Sequence, residues 1–228
     1  ARSIFPPSAF SDDERAAQSR TLTRTENAQP ALGAASMAYL AALRSLGVAC
    51  DMAAGHSFGE LSALCAAGAF DASTLLRLAK RRGELMSMAS STAGAMAAVI
   101  GDPSVVKSML PAGVVVANEN APDQTVISGA AGLVDDAIAA LSKRGLTAKK
   151  LAVSTAFHSP LVEKACGPLA RFLDGVDVGA PELPVFANTT AAEHANDAAS
   201  IKREIARQVR EPVRFVDEVR SEERRVGK

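Results

Sequence analysis

An α/β fold with a parallel-sheet core and a small second lobe set into it is predicted by three observations. From Pro30 to about Met88, segments with helical apolar spacing alternate with a short apolar run, the rhythm of a parallel α/β sheet. Between about Ser91 and Ala156 the order becomes strand, helix, two strands, helix, strand, the split unit of a ferredoxin-like lobe. Gly55-His56-Ser57-Phe58-Gly59-Glu60 follows the apolar run Ala49 to Ala54 and opens a helix, Leu61 to Ala69. Strand, sharp turn and helix around Gly-x-Ser-x-Gly is a nucleophile elbow. The predicted class is therefore α/β: a hydrolase-like parallel-sheet core with a nucleophile elbow, plus an inserted ferredoxin-like subdomain.

Each element has a local reason. Asp12-Asp13-Glu14 puts acid at a helix start, favouring a helix to about Ser19. Pro30 suits the first turn of a long helix that Gly47 stops near Leu46, with Leu32, Ala35, Met37, Leu40, Leu43 and Leu46 on one stripe. Asp71 and Thr74 begin a helix reaching about Met88. In the middle, Ala95 to Ile100 reads as strand, Asp102-Pro103 caps a helix to Leu110, and Val114 to Ala117 and Thr125 to Ser128 are strands. Val134 to Leu141 is helical to Gly145, and Lys149 to Val153 is the fourth strand. A helix from Pro160 to about Leu173, a strand Pro184 to Ala187 and a helix Ile201 to Val209 complete the pattern. The expected organisation is a discontinuous large subdomain, 1–90 and 157–220, a small one, 91–156, and a tail, 221–228. Ser221 to Lys228 carries five charges and no apolar periodicity, and both ends read as cut.

Composition narrows the function classes. At 228 residues the chain can bury one good core with a small second lobe. With aromatics at 4% and no Trp, Leu, Val and Ala must fill that core. Lys+Arg and Asp+Glu are 25 each without long like-charged blocks, which argues against nucleic acid or a polybasic membrane anchor as partner. The 3 cysteines, Cys50, Cys65 and Cys166, lack CxxC spacing and suit a reducing cytoplasm. No apolar run reaches membrane-spanning length, and no histidine pair has metal-ligand spacing. Met86, Met88 and Met96 read as core filling, and Arg210 and Arg214 as a solvated face with carrier-protein contact as the alternative.

The elbow supplies the chemistry. The turn is tight enough to require Gly55 and Gly59 around Ser57, and it sets the serine hydroxyl beside helix N-terminal amides able to stabilise an oxyanion. An alcohol needs a base, and there are 3 histidines. His56 lies inside the elbow, where its ring must point away from Ser57. His194, in Glu193-His194-Ala195-Asn196, reads as solvated. His158 follows a strand, where α/β folds place working residues, and the order serine then histidine fits hydrolase-like folds. A helix-capping role is the alternative for His158. Lys80-Arg81-Arg82 cannot share one helix face, so one can turn inward, and a buried arginine offers a planar fork for a carboxylate. The alternative is a solvated charge run.

In order along the chain, these stretches resemble the malonyl-CoA:acyl carrier protein transacylase family, the acyltransferase domain of fatty-acid, polyunsaturated-fatty-acid and polyketide synthases. Leu22 to Ala31 resembles its long-helix signature, and Gly55 to Glu60 its GHSxGE motif. Arg82-Gly83-Glu84-Leu85-Met86 resembles RGxxM, with Ser87 where many members carry Gln. Asn120 to Gly129 resembles NAPxQxVxSG, Ala156 to Ser159 AFHS, and Arg207-Gln208 with Pro212 to Phe215 the late RQ-PVRF segment. The resemblance runs from about Leu22 to Val219. A GQGSQ-like opening strand and an EVGPG-like closing one have no match, so a truncated domain is expected.

The resemblance implies roles. Ser57 would be the acylated nucleophile and His158 its general base, then acid, with a main-chain carbonyl near Gln208 orienting the imidazole. Arg82 would pair with the malonyl carboxylate and the Phe58 amide would donate to the oxyanion. Phe157 would crowd the acyl α-carbon, while Asn120 and His56 would shape the substrate pocket. It implies no bound cofactor or metal. Malonyl-CoA would be the donor, and the phosphopantetheine thiol of an acyl carrier protein the acceptor, with other synthase domains as further partners. The alternatives are a non-catalytic carrier-docking fragment and a serine esterase or thioesterase, the latter requiring an acid partner for His158.

Overall fold

A computed structural model describes residues 4–89, 93–153 and 155–226, with side chains as far as Ser221. The expected boundary at Ser91, Ser154 and the outermost residues of both ends lie outside that set. Helix α1 (Asp12–Thr23) starts where the Ser11 hydroxyl accepts the Glu14 N–H, a polar N-cap at an acid-rich first turn. Helix α2 (Thr25–Ser45) begins five residues before the expected start, so Pro30 sits inside it. The proline gives up one intrahelical bond. The apolar stripe of α2 is only partly covered, with Leu32, Tyr39, Leu43 and Leu46 exposed.

The elbow leads into α3 (Gly59–Ala66), and α4 (Ala72–Ala89) follows. Leu75, Leu78, Ala79, Leu85, Met86 and Ala89 are buried along α4 at helical spacing, and Arg82 and Gly83 lie within that stripe. Gly83 has a packing reason. A β-carbon there would lie 2.6 Å from the Glu26 Cα and the Thr25 carbonyl oxygen, so only glycine lets α4 cross the start of α2 this closely. That crossing is what brings Arg82 to a side chain of α2.

Four strands, β1 (Gly94–Ile100), β2 (Val114–Ala121), β3 (Gln124–Ala130) and β4 (Thr147–Lys150), form an antiparallel sheet in the order β2-β3-β1-β4. Helix α5 (Pro103–Ser108) links β1 to β2, and α6 (Ala131–Lys143) links β3 to β4. This is the topology of the split β-α-β-β-α-β unit. Its own apolar cluster includes Ala97, Val99, Val106, Ile127, Val134 and Leu141. The elements of this lobe differ from expectation only in extent: β1, β2, β3 and α6 run longer, α5 ends at Ser108, and β4 spans Thr147–Lys150.

The remaining chain forms a 3-10 turn (Pro160–Ala165), α7 (Cys166–Asp174), a two-residue pair β5 (Phe186–Ala187) with β6 (Ala192–Glu193), α8 (Ala198–Gln208) and α9 (Phe215–Val226). Leu61, Leu64, Leu75, Leu78, Leu169, Leu173, Ile201 and Ile205 form the larger core, so α3, α4, α7 and α8 hold one another through aliphatic burial.

Three expectations are corrected. The run Ala49 to Ala54 makes one parallel bridge, Ala53 to Val185, and the other parallel bridge joins Asn118 to Val213; no parallel sheet forms among the described residues. Asp51 interrupts the run, and Ala49, Cys50 and Ala54 stay exposed, so it lacks the two-sided burial of a central parallel strand. The segment from Ser221 to Val226 continues α9 rather than leaving as a tail. Met88 is exposed, whereas Met86 and Met96 are core residues as expected. Among the described residues, no helix is long and apolar enough to cross a membrane.

Candidate active site

The elbow turns because its backbone doubles back on itself. A β-carbon on Gly55 would lie 2.1 Å from both the carbonyl carbon and the oxygen of Gly59, an impossible contact with backbone. Gly59 itself faces no such limit: a β-carbon there meets nothing within 4 Å. The expectation that both glycines are required is thus corrected to Gly55 alone. At the apex Ser57 adopts φ 53°, the left-handed region that a residue with a side chain enters at a cost of about 1–3 kcal/mol. His158 is held at the same φ of 53°. Both groups that meet at the site therefore sit on strained backbone.

They meet closely. The Ser57 Oγ lies 2.7 Å from His158 Nε2 across 101 residues of sequence. On the far side of the ring, Nδ1 lies 3.1 Å from the Gln208 carbonyl oxygen and 2.9 Å from that of Glu211. Carbonyls only accept, so the proton resides on Nδ1 and the Nε2 lone pair faces the serine hydroxyl. The carbonyl near Gln208 was expected; Glu211, the nearer of the two, was not. A backbone oxygen has no signature in sequence. The Glu211 carbonyl is positioned because Val213 pairs with β2, donating to the Ala117 oxygen while its own oxygen accepts from Glu119. The neighbouring lobe thus fixes the segment that orients the histidine.

Burial dominates the electrostatics. His158 is 2% exposed, and desolvation, with the nearby Arg82 cation, pushes its pKa down from 6.5 to about 3 against the opposing pull of the two carbonyls. The imidazole is therefore a free base throughout the neutral range. The rate of Ser57 acylation is expected to show no histidine limb near pH 6.5 and to hold level until well below pH 5. A pH–kcat/KM profile checks this, and a half-maximal point near pH 6.5 would contradict it. Stability moves with the same sign. The unfolded chain binds this proton more readily, so acidification from pH 6.5 toward 3 favours unfolding.

Arg82 is the inward member of Lys80-Arg81-Arg82 and is 2% exposed. Lys80 and Arg81 instead reach Glu84 on the helix surface. The Arg82 guanidinium donates to the Gln29 Oε1 at 2.8 Å and the Gln208 Oε1 at 2.7 Å. Its Nε has no hydrogen-bond partner among the described residues. Burial lowers its pKa from 12.5 to about 10, with Glu60 acting in the opposite direction, so it remains a cation at neutral pH. A buried cation held by neutral amide oxygens is an incomplete ion pair. Gln29 lies within the signature stretch of α2 but carried no role from sequence; its spacing after Thr25, whose hydroxyl accepts from its Nε2, was the available signal.

A cavity of about 650 Å³ brings Ser57, Phe58 and Arg82 to one wall system with Gln29, Met86, Leu151 and Phe157. It does not gather every expected residue. His56 turns away from Ser57 as expected, but its Nε2 lies 2.7 Å from the Asn120 Oδ1 and its ring stands edge-on to Phe215. His56, Asn120 and His158 are not among the residues lining this cavity, and the His56–Asn120 contact joins the elbow to β2. His194, expected in solvent, is buried with its Nε2 2.9 Å from the Glu60 Oε1.

The chain is similar to proteins of known family. Residues 11–227 match the model of the acyl transferase domain family. The polyketide biosynthesis protein ThaF of Burkholderia thailandensis is 42% identical over 206 residues, covering 87% of this chain and 18% of that protein. The malonyl CoA-acyl carrier protein transacylase of Bacillus subtilis is 38% identical over 207 residues, covering 87% of this chain and 65% of that protein. Among solved structures, the malonyl CoA-acyl carrier protein transacylase of Coxiella burnetii superposes with a TM-score of 0.86 at 34% identity, over 90% of this chain and 67% of that one. The chain thus spans 18% and 65% of these two curated relatives. A serine on a strained elbow, a histidine tuned by carbonyls and a match over nearly the whole chain agree: this chain belongs to the acyl transferase domain family.

Proposed function

We propose that this chain carries the site that moves a malonyl group from malonyl-CoA to the phosphopantetheine thiol of an acyl carrier protein. The observation that carries the reading is the 2.7 Å Ser57–His158 contact beside a buried arginine whose described partners are two neutral glutamine oxygens. A malonyl carboxylate entering the cavity would complete that ion pair, while an acetyl group would leave the cation uncompensated.

The chemistry follows from the tautomer. His158 Nε2 takes the hydroxyl proton as Ser57 Oγ adds to the thioester carbonyl carbon. The negative oxygen forms beside the Phe58 amide, at the first turn of α3, where N–H groups lack intrahelical partners. Collapse breaks the carbon–sulfur bond, and the CoA sulfur leaves with the proton from His158. The malonyl ester on Ser57 is then attacked by the carrier thiol, whose proton passes to His158 and returns to Ser57 Oγ. Phe157, partly buried on the cavity wall, crowds the acyl α-carbon and disfavours a methyl branch there. Gln208 serves twice, with its carbonyl on His158 and its side chain on Arg82.

The esterase reading requires a carboxylate on His158, whereas Nδ1 faces two carbonyls, which favours the transferase. We place the protein in the cytoplasm, which suits three unpaired cysteines, and acting alongside other synthase domains. We also read residues 1–90 with 157–220, and 91–156, as two subdomains, supported by their separate apolar clusters. The functional test mixes the chain with malonyl-CoA with and without a phosphopantetheinylated carrier protein. The expected outcome is carrier-dependent malonyl thioester formation that Ser57→Ala abolishes. Hydrolysis at one rate with or without the carrier would favour the esterase, and carrier binding without transfer would favour a docking fragment.

A further inference from the structure

The reacting pair rests on a second, wholly buried polar assembly. Asn188, Glu60 and Gln208 are each 0% exposed, and His194 is buried beside them. Asn188 follows β5, in a stretch that no sequence signal marked. Its side-chain amide grips the elbow at two points, as a neighbouring strand would. The Oδ1 accepts the Ser57 N–H at 2.6 Å, and the Nδ2 donates to the Gly55 carbonyl at 2.8 Å. Its remaining capacity is also used, since Oδ1 accepts from Gln208 Nε2 at 3.2 Å and Nδ2 donates to Glu218 at 2.8 Å.

Glu60 fixes this amide from behind. One carboxylate oxygen accepts the Asn188 N–H at 3.0 Å and Gln208 Nε2 at 3.2 Å, and the other meets His194 Nε2 at 2.9 Å. Gln208 Nε2 also donates to the Ser57 carbonyl at 2.7 Å. Both peptide groups of the strained serine are therefore held by side chains from elsewhere in the chain. A left-handed non-glycine backbone persists only where its surroundings over-determine it. Here the surroundings are this assembly.

We infer that Asn188 is a positioning residue for the nucleophile, holding Ser57 at φ 53°, and that the buried Glu60–His194 pair sets Asn188 in turn. The inference rests on the reading of Ser57 as nucleophile but not on malonyl as the acyl group. None of these three side chains hydrogen-bonds to the Ser57 Oγ, so their effect is on its placement alone.

Labelling of Ser57 by a fluorophosphonate, which needs an aligned hydroxyl and base but no carboxylate, separates the two claims. Asn188→Ala is expected to slow labelling ~100-fold, the cost of misplacing a reacting group by about 1 Å. The KM for malonyl-CoA should stay within about twofold and the shape of the pH profile should not change, because His158 and Arg82 keep their partners. Should Asn188→Ala fail to fold, His194→Phe and His194→Gln decide. Removing the donor to Glu60 should slow labelling about tenfold, and glutamine, which returns an N–H, should restore it. Wild-type labelling rates in Asn188→Ala, or equal rates in the two His194 variants, would overturn the inference. A wild-type chain that is labelled yet takes no malonyl from malonyl-CoA would overturn the malonyl reading and leave this one standing. Absence of Ser57 labelling in the wild type would overturn both.

Discussion

Replacing Arg82 by alanine is expected to lower kcat/KM for malonyl-CoA about 1,000-fold while changing acetyl-CoA turnover less than about threefold. In the free protein the guanidinium is 2% exposed and is held by the Gln29 and Gln208 oxygens, which carry no charge. On the proposed reading a malonyl carboxylate would supply the missing anion, and a charge-assisted bond in a buried cavity is worth far more than its surface counterpart. Acetyl would supply nothing, so the wild type is expected to discriminate against it and the alanine variant is not. Because the arginine pKa falls only to about 10, selectivity should persist through the neutral range and fade as pH rises toward 10. Steady-state competition between the two thioesters checks both statements, and an unchanged malonyl preference in the variant would remove Arg82 from the site.

Gly55→Ala is expected to be the most damaging single substitution in the elbow. Its β-carbon would meet Gly59 backbone at 2.1 Å, and backbone cannot rotate aside as a flexible side chain can. Opening the turn would pull the Gly55 carbonyl and the Ser57 amide away from Asn188 together. A loss of about 3 kcal/mol or more in stability is expected, with Ser57 labelling suppressed in whatever fraction remains folded. Gly59→Ala, by contrast, adds a methyl group to open space at a helix start and should be neutral or slightly stabilising, by about 0.5 kcal/mol. Thermal unfolding of the two variants side by side separates a true packing limit from a general preference for glycine in turns. Equal losses would contradict the contact argument.

The parts of the site that sequence made legible are those whose chemistry is carried by local spacing. Ser57 is marked by its turn, while the AFHS and RGxxM stretches single out His158 and Arg82, since β4 ends at Lys150, well before His158, and three consecutive cations do not themselves say which one turns inward. The β-α-β-β-α-β order was readable for the same reason, since each of its elements has its own periodicity. What sequence concealed depends on contacts across the chain. Asn188 lies 131 residues from the amide it holds, and His194 lies 134 residues from Glu60. A histidine in a polar stretch looks solvated until a buried carboxylate is found opposite it. The Glu211 carbonyl is invisible in principle, because every residue has one. The supposed strand before the elbow failed for a related reason: an apolar run becomes a strand only where partners pair along its length, and here only Ala53 finds one.

The central claim is that Ser57, activated by His158, captures dicarboxylic thioesters because Arg82 receives their distal carboxylate. Peptide mass spectrometry of the chain after brief exposure to an equimolar mixture of malonyl-CoA and acetyl-CoA tests it most directly. The account predicts a malonyl ester on the peptide containing Ser57, with acetyl present only in trace amounts. Equal acetyl and malonyl occupancy of that peptide, or modification at any other residue, would contradict it.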